Sequence, residues 1–479
     1  MSFIMRWTRI TRQKGARFIG WMLLFFKLAA AQVSPTSSSA GQTHSISLNQ
    51  VVESAQRDYP QIHISQEELN ASIADIRLAR TAYLPRADAL LQANRATRNN
   101  VFSALLPQSI IPPISGPVIG SNNAGSVWGS AAGVLVSWQP FDFGLRHADV
   151  QAARAAKDRA DSVLLNSQLE VGAAAGDAFL THVAARETVR AASAAVENWN
   201  TLLKTIHALA TAELRPGADE SRIEAELAMA KTQLVYARQA EQETAATLAK
   251  FLLSPTGGLN FDSERFLTQL PLADEEPGFD SAAHPLMKEQ KATIAQSAAQ
   301  LHALERTWVP QFILEGAASA RGTGAETDGR RLSGWNGLAP NVPNYAAGFN
   351  VSFSIFDFPS IHAKESAQSA TVRAEQARQQ LIDRTLNETF QKAVAALSAA
   401  REVANNTPIE LKSAHMAFDQ AKARYQAGLT PIDDLAQAQR LLVQAEVDDS
   451  IARLSVWRAL LHLDATRGDL QPFLQAVSK

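Results

Sequence analysis

The sequence predicts a mainly helical protein with a membrane β-barrel at one end, built as an internal tandem repeat. Three observations predict it. First, Gly129–Gly144 and Ala346–Pro359 are two copies of one stretch: Ala131, Gly133, Ser137, Phe141, Asp142 and Phe143 return 215 positions later as Ala346, Gly348, Ser352, Phe356, Asp357 and Phe358. Second, both copies alternate with a strand's period of two. Ala132, Val134, Val136 and Trp138 share one face of the first copy. In the second, Tyr345, Ala347, Phe349, Val351, Phe353 and Ile355 lie opposite Ala346, Gly348, Asn350, Ser352 and Ser354. Third, the first copy runs into an Ala-rich helical pattern over 145–213 and the second into one over 359–427. At 1.5 Å per residue each is ~100 Å long, so it must lie against other helices as a coiled coil or tube.

Composition narrows the function classes. A net charge of −2 offers no basic surface for nucleic acid. Cysteine is absent, which removes disulfides, thiolate metal sites and a cysteine nucleophile. Ten histidines are scattered with no helical pair, against a His-based metal centre. No nucleophile elbow or Gly-rich phosphate loop is present, so neither an enzyme nor a cofactor is expected.

In chain order, five basic residues between Arg6 and Arg17 precede an apolar run and Ala29-Ala30-Ala31-Gln32, the layout of a secretory signal (1–31) cut after Ala31. A linker (32–47) follows. The first repeat, 48–253, opens with a helical pattern interrupted by Pro60 and stopped at Leu84-Pro85. A strand over 85–97 sets Ala87, Ala89, Leu91 and Ala93 opposite Arg86, Asp88, Gln92 and Asn94. A Pro/Gly/Ser-rich loop leads to the strand 127–140, then the helices 145–213 and 218–253. Gly172 and Gly176 are exceptions in the first long helix.

After a linker (254–279), the second repeat, 280–470, has strands over 309–321 and 344–356 and helices over 359–427 and 431–467. Pro285 and Pro310 stand 25 apart, as Pro60 and Pro85 do. Asn405-Asn406-Thr407-Pro408 is expected to break the second long helix. Residues 471–479 read as a tail.

Four strands in two hairpins cannot close a membrane barrel, and none can keep a bare edge in lipid. The barrel is therefore shared between chains. Two chains would give eight strands and a filled interior; three would give twelve and a lumen. The polar strand faces argue for the wet interior. Trp128 and Trp138 stand ten residues apart, ~25 Å along a tilted strand, which serves a lipid girdle or a pair of core tryptophans equally.

Several residues carry a family resemblance: Leu84-Pro85, the Phe141-Asp142-Phe143-Gly144 and Phe356-Asp357-Phe358 junctions, and Arg424-Tyr425-Gln426-Ala427-Gly428-Leu429-Thr430 with Asp434, Ala438 and Leu442. Leu214-Arg215-Pro216-Gly217-Ala218-Asp219 looks like the first-half counterpart. In this order the chain resembles outer-membrane efflux proteins of the TolC family, with Pro359 where the family pattern has Gly.

The resemblance implies a TolC-like homotrimer in outer-membrane lipid, its twelve-stranded barrel continued by a periplasmic coiled-coil tunnel. It implies a periplasmic adaptor (membrane fusion protein) and an inner-membrane RND, ABC or MFS transporter as partners. The turns Leu214, Arg215, Pro216, Gly217 and Asp219, and Gly428, Leu429 and Thr430, would dock the adaptor, although a plain helical corner accounts for the glycines as well. Asp434, with Asp433 beside it and Gln437 one turn on, falls where some members narrow the tunnel with carboxylates. Acids after Pro431 also suit a helix N-terminus. Trp128, Trp138, Tyr345 and Phe356 would form the aromatic girdle. The competing expectation is a periplasmic coiled-coil scaffold that never enters lipid.

Overall fold

The computed structural model describes residues 45–97, 125–211, 217–252, 260–271, 278–326, 330–353 and 355–478. The expected signal, the linker up to His44, the loop 98–124 and the turn residues Leu214, Arg215 and Pro216 lie outside them.

The elements follow the tandem order. β1 (Ser45–Ile46) precedes α1 (Leu48–Asp58), which opens on a capping box: Ser47 Oγ accepts from Gln50 N (3.3 Å) while Ser47 N donates to the Gln50 side chain (3.0 Å). α2 (Pro60–Thr81) starts on its proline, where the missing N–H costs nothing. β2 (Arg86–Thr97) and β3 (Ser126–Phe141) form the first hairpin. α3 (Leu145–Thr211) and α4 (Gly217–Ala249) follow, then β4 (Asn260–Phe261) and α5 (Glu264–Thr268).

The second half repeats the plan. It comprises α6 (Pro285–Leu304), again started on proline, β5 (Gln311–Thr323), β6 (Val342–Ser352), α7 (Phe358–Gln426) and α8 (Ile432–Arg467). Residues 471–478, read from sequence as a tail, form a helix, α9 (Gln471–Ser478), which buries Phe473 completely.

β2, β3, β5 and β6 make one antiparallel sheet in the order β2-β3-β5-β6. Its register runs Arg86↔Ser137↔Glu315↔Gly348 in one row and Ala89↔Val134↔Ala318↔Tyr345 in another. Because side chains alternate, these rows belong to opposite faces. One face collects Ala87, Leu91, Val136, Trp138, Leu314, Phe349 and Val351; the other collects Arg86, Asp88, Gln92, Glu315, Arg321 and Asn350. Gly133 permits the approach of β5, since a Cβ there would sit 2.7 Å from Ser319 Cβ.

The two strand-to-helix junctions differ. In the first, Phe143 (φ +50) and Gly144 (φ +92) turn the chain, and Asp142 accepts from Gly144 N, Arg146 N and Arg146 Nε (3.2, 2.8 and 2.7 Å). In the second, β6 stops at Ser352 rather than at residue 356. Phe356 sits in a 3-10 turn, Ile355–Asp357, and not on the strand. Pro359 occupies the first turn of α7, where its fixed φ suits a helix start and no left-handed residue is needed.

The core lies where the linkers wrap the long helices. β1 pairs with β4 in parallel (Ile46↔Phe261). Phe179 of α3 meets Phe261 and Phe266 edge-on at 5.8 Å, and Trp457 of α8 meets Phe266 at 5.3 Å while its Nε1 donates to Gln269 O (3.0 Å). The glycines noted in α3 belong to this belt. A Cβ on Gly172 would meet Gln56 Nε2 at 2.6 Å, and one on Gly176 would meet Leu461 at 3.1 Å.

The expected break at Asn405–Pro408 does not occur: α7 is continuous through Pro408. An interior proline costs about 3 kcal/mol locally. Here Ala404 is buried against the fold, and buried Thr407 donates to Asp449 of α8 (3.0 Å), so packing along the hairpin outweighs that cost.

A second tie joins the repeats. Arg458 of α8 donates to both oxygens of Asp177 of α3 (2.8 and 3.2 Å), with His462 Nε2 3.6 Å away. Burial opposes ionisation of Asp177, but His462 and Arg458 outweigh it and draw the carboxyl from its ordinary 3.8 to about 2. The native group is thus more acidic than the unfolded one. Its contribution to stability is complete above about pH 4 and is lost as pH falls towards 2. Asp177→Asn is expected to flatten the dependence of the unfolding temperature on pH in that window. Trp457→Ala, which empties the centre of the belt, is expected to cost about 3–5 kcal/mol in thermal unfolding followed by the helical signal.

Candidate functional site

Two regions carry surface chemistry: the sheet and the far ends of the helical hairpins. The sheet is amphipathic across all four strands, and its apolar face is open, with Leu91 84%, Tyr345 91% and Phe349 57% exposed. β2 and β6 are its edges, and neither pairs with another described strand. Trp128 and Trp138 lie on this apolar face towards its two ends. Trp138 Nε1 donates to Tyr83 O (3.1 Å), and Trp128 stacks on Trp335. The register puts Tyr345 in a row between the two tryptophans. Phe356 is 94% exposed at the base of the sheet.

The hairpin ends form the second region. Gly428 (φ +77) ends α7, its N–H donating to Tyr425 O (3.0 Å) while Leu429 N donates to Arg424 O (2.9 Å), the paired closure that a left-handed residue permits. Leu429 is 71% exposed at the apex, while Thr430 is turned inward and buried. Gly217 opens α4 in open space, and Asp219 lies in the first turn of that helix. The Tyr425 hydroxyl donates to Asp219 (3.1 Å), joining the two ends. Behind them Ile206, Ile223, Leu227, Ile432 and Leu435 form a small buried core.

Charges above that core are arranged in series. Glu226, almost fully buried, lies 3.6 Å from Arg222 and 3.5 Å from Arg440, and Arg222 Nε lies 3.2 Å from Asp433. Asp433 is therefore tied back to α4, whereas Asp434 and Gln437 stand exposed one turn apart on α8. An open groove of about 670 Å³ runs alongside between α3, α4 and α8, lined by Trp199, Met229, Tyr236 and Arg440 among others. Arg222, Glu226 and Arg440 were not singled out from sequence, and Tyr425 stood out only as part of the turn motif. Only the Arg222–Glu226 spacing carried a local signal; the rest come together from segments some 200 positions apart.

Comparison with known proteins agrees with this geometry. Residues 281–469 match the family model described as outer membrane efflux protein. The outer membrane protein OpmQ of Pseudomonas aeruginosa, described as exporting pyoverdine, is 24% identical over 400 residues, covering 80% of this chain and 78% of OpmQ. The CmeC outer membrane channel of Campylobacter jejuni superposes with a TM-score of 0.69 at 15% identity, over 90% of this chain and 89% of CmeC. The MtrE outer membrane channel of Neisseria gonorrhoeae, solved in its open state, gives 0.69 at 16% identity over 88% and 89%. An amphipathic four-stranded sheet continued by two long helical hairpins is the fold these outer-membrane channels share. The chain has the fold of those channels, and its second half matches the outer membrane efflux protein family.

Proposed function

We propose that this chain is the exit duct of a tripartite efflux or type I secretion system, conducting cargo passively from an inner-membrane pump across the periplasm and outer membrane. The observation that carries the reading is the open sheet: an apolar face bounded by two edges, β2 and β6, that pair with no other described strand. Lipid cannot satisfy those edges, and a copy of the same sheet can. Three copies give twelve strands, enough to enclose a lumen lined by the polar face. A scaffold outside the membrane would have no use for that apolar face. The N-terminal 31 residues serve export as a cleaved signal in a Gram-negative-type envelope, and the two repeats are the structural units.

The hairpin ends dock a periplasmic adaptor carrying an RND, ABC or MFS pump, through Leu214, Arg215, Pro216, Gly217, Asp219, Gly428, Leu429 and Thr430. Exposed Leu429 and the adjoining groove support this role. Gly428→Leu, strained at a left-handed position by roughly 1–2 kcal/mol, is expected to impair complementation of efflux without lowering outer-membrane trimer yield. Normal efflux in that variant would remove the docking site.

Asp434, with Gln437 above it and Asp433 held by Arg222, lines a periplasmic constriction where three copies bring three carboxylates together. Asp434→Asn is expected to weaken block by divalent cations in planar-bilayer recordings. Unchanged block would assign the acid to helix capping alone. Trp128, Trp138 and Phe356 form the girdle at the borders of the lipid band, with Tyr345 inside it. Similarity to a pyoverdine exporter supports a small organic cargo.

A further inference from the structure

The connection between β5 and β6 is folded back onto the end of the sheet. Gly324 N donates to Trp128 O (2.8 Å), Leu332 N donates to Gly324 O (2.8 Å), and Ala325 bridges to Arg331. The approach is close enough that a Cβ on Gly322 would fall 2.3 Å from Ala339 O, and one on Gly337 would fall 2.3 Å from Trp128 O.

This fold-back brings the Trp335 ring against Trp128, stacked at 6.0 Å and 14°, yet leaves Trp335 77% exposed. Trp128 belongs to the apolar sheet face, and its cross-strand partner on that face is Arg95. The Arg95 guanidinium lies 5.3 Å from the Trp128 ring centroid, and its Nε donates to Ser126 Oγ (2.9 Å). Exposed Arg331 and Leu332 belong to the same folded connection.

We infer that Arg95, Trp128 and Trp335 form a binding site for the phosphorylated headgroup of an outer-leaflet glycolipid. The inference rests on the reading that the apolar face meets lipid. An arginine midway along that face would be costly; at its far end it reaches the headgroup layer, where a guanidinium pairs phosphate through two parallel N–H bonds. The stacked indoles provide an amphipathic surface for the sugar and for the upper acyl chain. The Trp128 ring orients Arg95 from one side and Ser126 from the other, so little freedom is lost on binding. A lone girdle tryptophan needs neither the arginine nor a connection tied down over it.

The test uses the full-length protein, purified in detergent and freed of lipid. Binding is read by native mass spectrometry and by the shift in thermal unfolding. The ligands are a bis-phosphorylated lipid A, the same lipid with its phosphates removed, and inorganic phosphate. The phosphorylated lipid is expected to saturate at one per chain and to raise the unfolding temperature. The dephosphorylated lipid is expected to bind at least about tenfold more weakly, as the loss of a charge-assisted pair implies.

Arg95→Gln and, separately, Trp335→Ala are expected to lower the affinity for the phosphorylated lipid by a similar factor while leaving outer-membrane insertion intact. Equal binding of the two lipids, or unchanged binding in both variants, would overturn the site while the channel reading stands. So would displacement of the lipid by millimolar inorganic phosphate, which would make the site one for free anions. A chain that stays in solution without detergent would overturn the channel reading and this site together.

Discussion

A strand edge in lipid has no second-best partner. Water can satisfy the N–H and C=O groups of an edge on a soluble protein, but a hydrocarbon layer cannot. The sheet here ends in β2 on one side and β6 on the other, with an apolar face running unbroken between them. That single constraint orders the rest of the molecule. Through the short junctions at Asp142 and Asp357 each strand hairpin passes directly into a long helix. The two halves of the chain are alike in plan, each supplying one hairpin of strands and one hairpin of helices.

The helices solve a different problem from the strands. Their hydrogen bonds are internal, so their arrangement is set by packing alone. Over such a length the packing is concentrated at two levels. The belt around Trp457, Phe179 and Phe266 is held by parts that lie outside the repeats proper, namely β1, β4, α5 and α9. The second level is the small core at the hairpin ends, where Ile223 and Leu435 are buried and Tyr425 reaches Asp219. Between these levels lie a smaller apolar cluster, Ala414, Leu442 and Ala445, and polar ties such as Thr407 with Asp449 and Arg453 with Asp449.

The sequence made much of this legible because period and repetition are local properties. Alternation in Val134–Trp138 and Tyr345–Val351 places residues on a face without knowledge of what they touch, and the duplicated Phe-Asp-Phe fixes where strand becomes helix. What stayed hidden depends on contacts between distant segments. Pro408 reads as a break because its cost is local, whereas the burial of Ala404 and Thr407 that repays it comes from α8. The linker 254–279 and the tail after residue 470 look structureless alone, and they acquire β4, α5 and α9 only against the belt. The glycines of α3 were conspicuous, yet their reason, the approach of Gln56 and Leu461, lies in other helices. At the candidate site the same division holds: the turn residues were visible, but Arg222, Glu226 and Arg440 were not.

The two ends of the molecule treat charge in opposite ways, and the difference follows from their surroundings. Near the hairpin ends Glu226 is buried, with Arg222 and Arg440 both within reach, because a carboxylate removed from water must be compensated there. Asp433 is drawn into that network, which leaves Asp434 as the acid presented outward from the same helical turn. On the sheet, charged side chains gather on the polar face, where Glu315 accepts from Asn350 (2.9 Å) and Arg86 pairs with Asp88 (2.8 Å). Arg95 departs from that pattern by lying on the apolar face, and it does so where that face ends. A cation at that position is costly in hydrocarbon and well placed among phosphates, so its location marks the boundary between the two layers.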